Sequence, residues 1–301
     1  MKRFLSLLSI SSLFLMLGCQ AQSQEDVSSI PLSNDFNNYW YAGKAEIASY
    51  DLEQSRYGEI HKGHAVLIFV TEDLSKSKQV KLDYPQRAQK DKIGVLKLNF
   101  TKKFNTGIYP YSMMQSVFTP VDRNSHPNSL KTTMSSQEWC GHTFTQLNLK
   151  KDMFAINSYS YFEQEGDKQS DLDKTLLEDE IWNLIRLDYK GLPVGDIEII
   201  PGIFHSRLLH QTLNKTIANA SLSEDGTAMT YLLDYPKEGR SLSITFEKVF
   251  PHKILSWQET AKGLGGKTLT TKATLKKTLH TDYWSKNKNK YKYLRDSLGL
   301  K

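Results

Sequence analysis

His64-Ala65-Val66-Leu67-Ile68-Phe69-Val70 is the stretch that decides the fold. After His64 it is wholly apolar and rich in β-branched residues. It is too short for a buried helix and has the make-up of a strand covered on both faces. Residues 44–52, just before it, alternate polar with apolar or small side chains, the mark of a half-buried strand. Beyond it, 80–82 is brief and 95–100 alternates again. The same period of two recurs at 111–118, 143–149, 154–162, 198–200, 217–222, 228–234, 242–247, 253–259 and 268–279. Gly, Pro, Asn and Asp punctuate these runs. The KGLGGK stretch at 262–267 reads as a hairpin turn, because a phosphate cradle would need a helix after it.

Helical signals are few. Residues 171–186 carry Leu172, Leu176, Ile181, Leu184 and Ile185 on one face, with Ser170 or Asp171 as cap and Gly191 and Pro193 beyond the end. A shorter helix is expected at 288–297, before Gly299. The fold class is therefore mainly β: a large twisted antiparallel sheet, half-barrel or sandwich-like, with one mid-chain helix and a short C-terminal helix. No repeat and no Pro/Ser-rich linker interrupts residues 36–301, which read as a single β-rich domain.

The N-terminus carries an address. Lys2 and Arg3 precede an uncharged run from Phe4 to Leu17, and the chain continues Met16-Leu17-Gly18-Cys19. The run is shorter than the ~20 residues of a membrane span. A small residue directly before a cysteine is the lipobox pattern, so 1–18 is expected to be a lipoprotein signal peptide and Cys19 the lipidation site. Acyl chains on Cys19 would hold the protein at a membrane, each buried CH₂ contributing roughly 0.8 kcal/mol. Membrane lipid is thus the first expected partner. Residues 19–35 lack periodicity and read as a flexible tether.

The formal charge is +6, of which Lys2 and Arg3 supply two. Much of the excess lies in 262–301, and it reads as a solvated surface rather than a nucleic-acid site. The two cysteines are Cys19 and Cys140. With Cys19 acylated, no disulfide within the chain is expected.

Chemical motifs are sparse. Cys140 and His142 are two apart, and on an extended strand would share a face. A Cys–His pair can form a thiolate nucleophile, which makes these two the candidate catalytic residues, although no orienting Asp or Asn is near. The competing reading is a small buried cysteine. His61, His64, His205 and His210 show no metal-ligand spacing, and no cofactor is expected. Glu178, Asp179 and Glu180 read as a solvated helix face near a positive helix terminus. Tyr39-Trp40-Tyr41 and Tyr109-Pro110-Tyr111 could line an apolar ligand cleft, but read first as core and strand-end aromatics. There is no GxSxG, phosphate loop or dinucleotide fingerprint.

Several segments carry a resemblance: residues 39–46 (YWYAGKAE), 56–60 (RYGEI), 104–111 (FNTGIYPY), 137–142 (QEWCGH) and 281–285 (TDYWS). Together they are similar to an uncharacterised lipoprotein family of Bacteroidota, chiefly Flavobacteria, and the likeness spans the chain beyond the leader. Some members carry the label "septum formation inhibitor Maf". The Ser-x-Ser-Pro-Arg-Arg motif of Maf pyrophosphatases is absent from this chain. The resemblance implies an envelope location, expected at the outer membrane on its periplasmic face or at the cell surface, and no catalytic residues. The expected function is that of an envelope lipoprotein whose domain is a binding or assembly module for a lipid, a glycan or a protein partner. The alternative is an envelope hydrolase or thiol enzyme using Cys140 and His142.

Overall fold

The structure is a computed structural model and describes residues 33–300. The leader at 1–18, Cys19 and the tether up to residue 32 lie outside the described residues. Ser33 Oγ accepts from Phe36 N and caps helix α1 (Asn34–Trp40), so helix begins two residues before the domain boundary read from the sequence.

One sheet of 15 strands follows. Its first half is a meander: β1 (Ala45–Arg56), β2 (Glu59–Ser75), β3 (Lys92–Thr106), β4 (Tyr109–Pro120), β5 (Lys131–Glu138), β6 (Gly141–Lys150), β7 (Met153–Ser160) and β8 (Lys168–Asp173). After β9 (Leu176–Leu177) comes helix α2 (Glu178–Asp188), then β10 (Gly195–Ile200) and helix α3 (Ile203–Leu208). A second meander closes the count: β11 (Thr216–Asp225), β12 (Ala228–Tyr235), β13 (Arg240–Glu247), β14 (Ile254–Lys262) and β15 (Thr268–Thr281). β15 pairs with β1, which joins the two meanders. Every pairing is antiparallel except the short β9–β10 contact. Helix α4 (Tyr293–Ser297) ends the chain, with Gly299 at φ +63° just beyond it.

The sheet's shape follows from one connection. β8 and β9 are its two edges, yet only Lys174 and Thr175 separate them in sequence. A flat sheet of this many strands would be roughly 65 Å wide, whereas that link reaches roughly 11 Å at full extension. The sheet therefore curls until its edges face one another across a seam. The edges are not paired, so it is not closed into a barrel. Lys215 Nζ spans the seam, 3.0 Å from Asp173 of β8 and 3.2 Å from Glu198 of β10.

Inward-facing residues of nearly all strands join α1, α2 and α3 in one core. On β3 these are Leu96, Leu98, Phe100, Lys102 and Phe104, with Phe100 ringed by Trp182, Phe204 and Trp257 at 5.2–5.3 Å. The run at 64–70 is covered on both faces, as its composition requires. Ala65, Leu67 and Phe69 point into the core, while Val66 meets Leu298 and Leu300 of the C-terminal segment on the outside.

Two sequence expectations need correction. The helix expected at 171–186 begins at Glu178; Ser170 and Asp171 lie in β8, and Leu172 packs inward from a strand. Leu172 and Leu176 had mimicked helical spacing because both face the core from edge strands. The three acidic residues at 178–180 are not a solvated face, for all three are buried. No described helix is long and apolar enough to cross a membrane.

Candidate functional site

Helix α3 and its flanks lie across the end of the lumen where the β1–β2, β3–β4, β5–β6 and β7–β8 hairpins turn. It is held on every side. Arg56 donates to the Leu208 carbonyl. His205 Nδ1 lies 2.9 Å from Glu259, and His210 Nδ1 lies 2.5 Å from Glu165. Asp179 accepts from Ile203 N at 3.3 Å. Gly202 fits because a Cβ there would stand 2.4 Å from Glu178 Oε1.

Beneath α3 is a buried charged chamber. The N-terminal turn of α2 supplies Glu178 and Asp179, the upper ends of the strands supply Lys102, Arg240 and Glu259, and α3 supplies His205. Arg240 grips Glu178 through two bonds of 2.5 and 2.7 Å and reaches Glu259 at 2.8 Å. Tyr235 donates to Glu178 at 2.5 Å. Burial alone would raise Glu259, but Arg240 and His205 overrule it and hold the carboxyl well below its ordinary range. Lys102 and Asp179 lack such partners. Among the described residues no carboxylate forms an ion pair with Lys102, whose ammonium lies 5.4 Å over Phe100 and 5.1 Å over Phe204. Burial pushes the Lys102 amine down. Burial, with Glu178 adding to it, pushes Asp179 up to about 7. The space between them is about 20 Å³, room for one water-sized molecule.

Beside the chamber, between α3 and the inner faces of β5–β8, opens a cavity of about 400 Å³. Its wall is inside out. Thr143 and Thr145 on β6, Ser158 and Ser160 on β7 and Ser170 on β8 face inward, in line with the core residues Leu147 and Ile156 further down. Their neighbours Phe144 and Tyr159 face solvent and stack on each other at 6.4 Å. Polar-in, apolar-out reverses the rule that builds the rest of the sheet. Buried polar groups there also lack partners: Thr143 Oγ1 and Arg207 Nε make no hydrogen bond. Such reversals concentrate where function sets the residue.

The residues singled out from the sequence fall elsewhere. Cys140 is exposed, in the β5–β6 turn rather than on a strand, and is not the small buried cysteine weighed as its competing reading. Its amide donates to Glu138 at 2.8 Å, and the same carboxylate pushes the thiol up, away from thiolate. His142, exposed at the start of β6, is not among the groups lining the cavity or the chamber. His205 and His210, unremarkable by spacing, are both brought to the plug. Trp40 and Tyr111 are buried in the core, as read. Among the described residues no group of three or more His, Cys, Asp or Glu is placed to hold a metal ion. The cavity wall was missed, though a signal was present: Thr143-Phe144-Thr145 and Ser158-Tyr159-Ser160 alternate hydroxyl with aromatic, and the register of β6 and β7 decides which goes inside. Neither a family model nor a curated protein matches this chain.

Proposed function

We propose that this protein is a lipid-anchored envelope lipoprotein whose domain is a binding module for a small, largely polar ligand, held in the cavity between α3 and β5–β8. One observation carries the reading: a 400 Å³ cavity, within the usual range for ligand pockets, with a hydroxyl-lined wall in which Ser158 donates to Thr145 and Ser160 to Glu165 but Thr143 Oγ1, like Arg207 Nε, makes no hydrogen bond. The envelope location draws its support from the lipobox at Cys19 and from the likeness to flavobacterial lipoproteins. Among the ligand classes open to an envelope protein, a hydroxyl-rich wall suits a glycan unit better than an acyl chain, which would leave those groups unpaired.

Native mass spectrometry of the full chain extracted from its own envelope tests the binding reading. The wild type is expected to carry a small bound species that Ser158→Trp, which fills the cavity, lacks; equal masses beyond the substitution would remove the reading. The anchor is tested separately. Cys19→Ala is expected to move the protein from the membrane pellet to the soluble fraction, and a variant that still sediments after a high-salt wash speaks against acylation.

The enzymatic alternative based on Cys140 and His142 draws little support from an exposed thiol beside a carboxylate. The groups better suited to proton transfer are Lys102 and Asp179, whose proton affinities burial drives toward neutrality from opposite sides.

A further inference from the structure

Arg207, on α3, lines the cavity, and its side chain is 5% exposed. A buried guanidinium ordinarily has a carboxylate in contact and its N–H groups paired. Here the nearest carboxylate oxygen, Glu165 Oε1, is 3.7 Å away. That carboxylate is already engaged: Oε1 lies 2.5 Å from His210 Nδ1, and Oε2 accepts from Ser160 at 2.5 Å. Arg207 Nη1 also stands 3.2 Å from His210 Nδ1. A nitrogen that donates to Glu165 cannot accept from Arg207 as well; in that tautomer the acceptor is His210 Nε2, which is 3.5 Å from Nη1, a long contact. Arg207 Nε has no partner. Burial works against the charged form; Glu165 at 3.7 Å, with Tyr111 and Glu138, favours it but does not outweigh burial and the repulsion from nearby Arg56, and the Phe162 ring lies 4.7 Å from the guanidinium carbon. The cavity therefore presents an under-neutralised cation at one wall and a bank of hydroxyls at the other.

We propose that the cavity takes a small acidic polyol: a hydroxyl-rich ring bearing one carboxylate or sulfate, of the uronic-acid kind, with the anion on Arg207 and the ring hydroxyls against Thr143, Thr145 and Ser158. This rests on the binding-module reading above and names its ligand class. A carboxylate offers both oxygens, and a sulfate two of its three terminal oxygens, to the fork of a guanidinium, and an anion there adds to the counter-charge that Glu165, shared with His210 and Ser160, supplies only in part. A neutral sugar would satisfy the hydroxyls and leave Arg207 as it is. A fatty acid would satisfy Arg207 and strand the Thr143 hydroxyl, since Thr145 and Ser158 already bond each other.

Saturation-transfer NMR on the full chain in detergent micelles tests this with three probes: D-glucuronate, D-glucose 6-sulfate and D-glucose. At least one acid is expected to bind about tenfold more tightly than glucose, and preference between the acids tells carboxylate from sulfate. Arg207→Gln should weaken the acids about tenfold, to the level of glucose, while leaving glucose unchanged. Arg207→Lys, which keeps the charge, should restore part of the loss, which a merely misfolded variant would not do. Glucose binding as tightly as the acids, acids indifferent to Arg207→Gln, or no probe bound would each overturn the proposal. The binding-module reading fails on its own measurement, the bound species that Ser158→Trp should lose, so the two failures are told apart.

Discussion

The lumen of the curled sheet buries two charged clusters, one toward each end, and they are built differently. Toward α1, Arg186 meets Glu46 through two bonds of 2.7 and 2.6 Å, with neither side chain exposed. Arg186 Nε also donates to the Pro251 carbonyl at 2.8 Å, Tyr39 donates to Glu46, and the guanidinium lies 5.1 Å from the Trp40 ring and 4.6 Å from the Phe69 ring. Beneath α3, Arg240, Glu178 and Glu259 satisfy one another, but among the described residues Lys102 has no carboxylate in contact and Asp179 has no cation, though it accepts from the Ile203 amide at 3.3 Å. Both clusters carry the cost of desolvating ions. Only in the first is every buried charge matched by an opposite one, although Trp40 Nε1 and His280 Nε2 beside that pair make no hydrogen bond. A complete network explains itself as structure, whereas an incomplete one persists at a cost that function must justify.

The comparison can be broken at its complete end, where the largest effect is expected. Glu46→Ala leaves Arg186 charged, buried and without its partner, and should destabilise the protein by about 3–5 kcal/mol in urea unfolding. Replacing both Glu46 and Arg186 by apolar residues of similar size should cost far less, since the stranded charge goes too. If the single and double variants lose the same stability, the pair is not what holds that end together.

The incomplete end should show itself in pH dependence. Burial raises the Asp179 carboxyl from an ordinary 3.8 to about 7. Between those values the folded protein keeps a proton that the unfolded chain has released. The unfolded state then binds fewer protons, so this group makes stability fall as pH rises from about 4 to about 7. Its contribution is greatest in acid, contrary to the usual carboxylate. Asp179→Asn removes that slope, so the variant should gain on the wild type over this window. Glu46 runs the other way: burial would raise it, but Arg186 dominates and holds it below its ordinary range, so its contribution is lost only in acid. Parallel stability curves for wild type and Asp179→Asn from pH 4 to 8 would show that Asp179 is matched after all.

These two ends were unequally legible in the sequence. Strands with apolar inner faces announce themselves by period two, which is why β1, β3, β12 and β13 fall where the alternation puts them, and β2, covered on both faces, by its unbroken apolar run. β5, with Lys131-Thr132-Thr133-Met134-Ser135-Ser136, and β8, with Lys168-Gln169-Ser170-Asp171, carry little apolar signal and went unread. They are strands because of the neighbours they pair with. Both reach the cavity, β5 through Met134 and β8 through Lys168 and Ser170, so only in β8 is the polarity that hid the strand also part of the site. The plug was invisible for a different reason. Ile203–Leu208 is six residues long, too short for a helical period to show, and α3 exists because the chain must return from β10 to β11 over a lumen that needs closing. His205 and Arg207 acquire their roles only from that return. Cys140 and His142 stood out by residue type alone, and type says nothing about the turn that carries them.

The smallest expected effect sharpens the contrast most. Lys102→Met removes an amine that no carboxylate pairs with, and puts in its place an apolar chain of similar length against Phe100 and Phe204. Loss of the ring contacts, at roughly 0.5–2 kcal/mol, is offset by no longer burying an ammonium in a site that pushes its proton off. The net change in urea unfolding should be neutral or stabilising by about 1 kcal/mol. That is the opposite sign to Glu46→Ala, although both variants delete one buried charge. The same substitution keeps the volume of the site, so a change in ligand binding without a change in stability would assign Lys102 to function. A loss of several kcal/mol would mean that Glu178, Asp179 and Glu259 collectively hold the ammonium as firmly as Glu46 holds Arg186. The two ends of the lumen would then be one kind of structure.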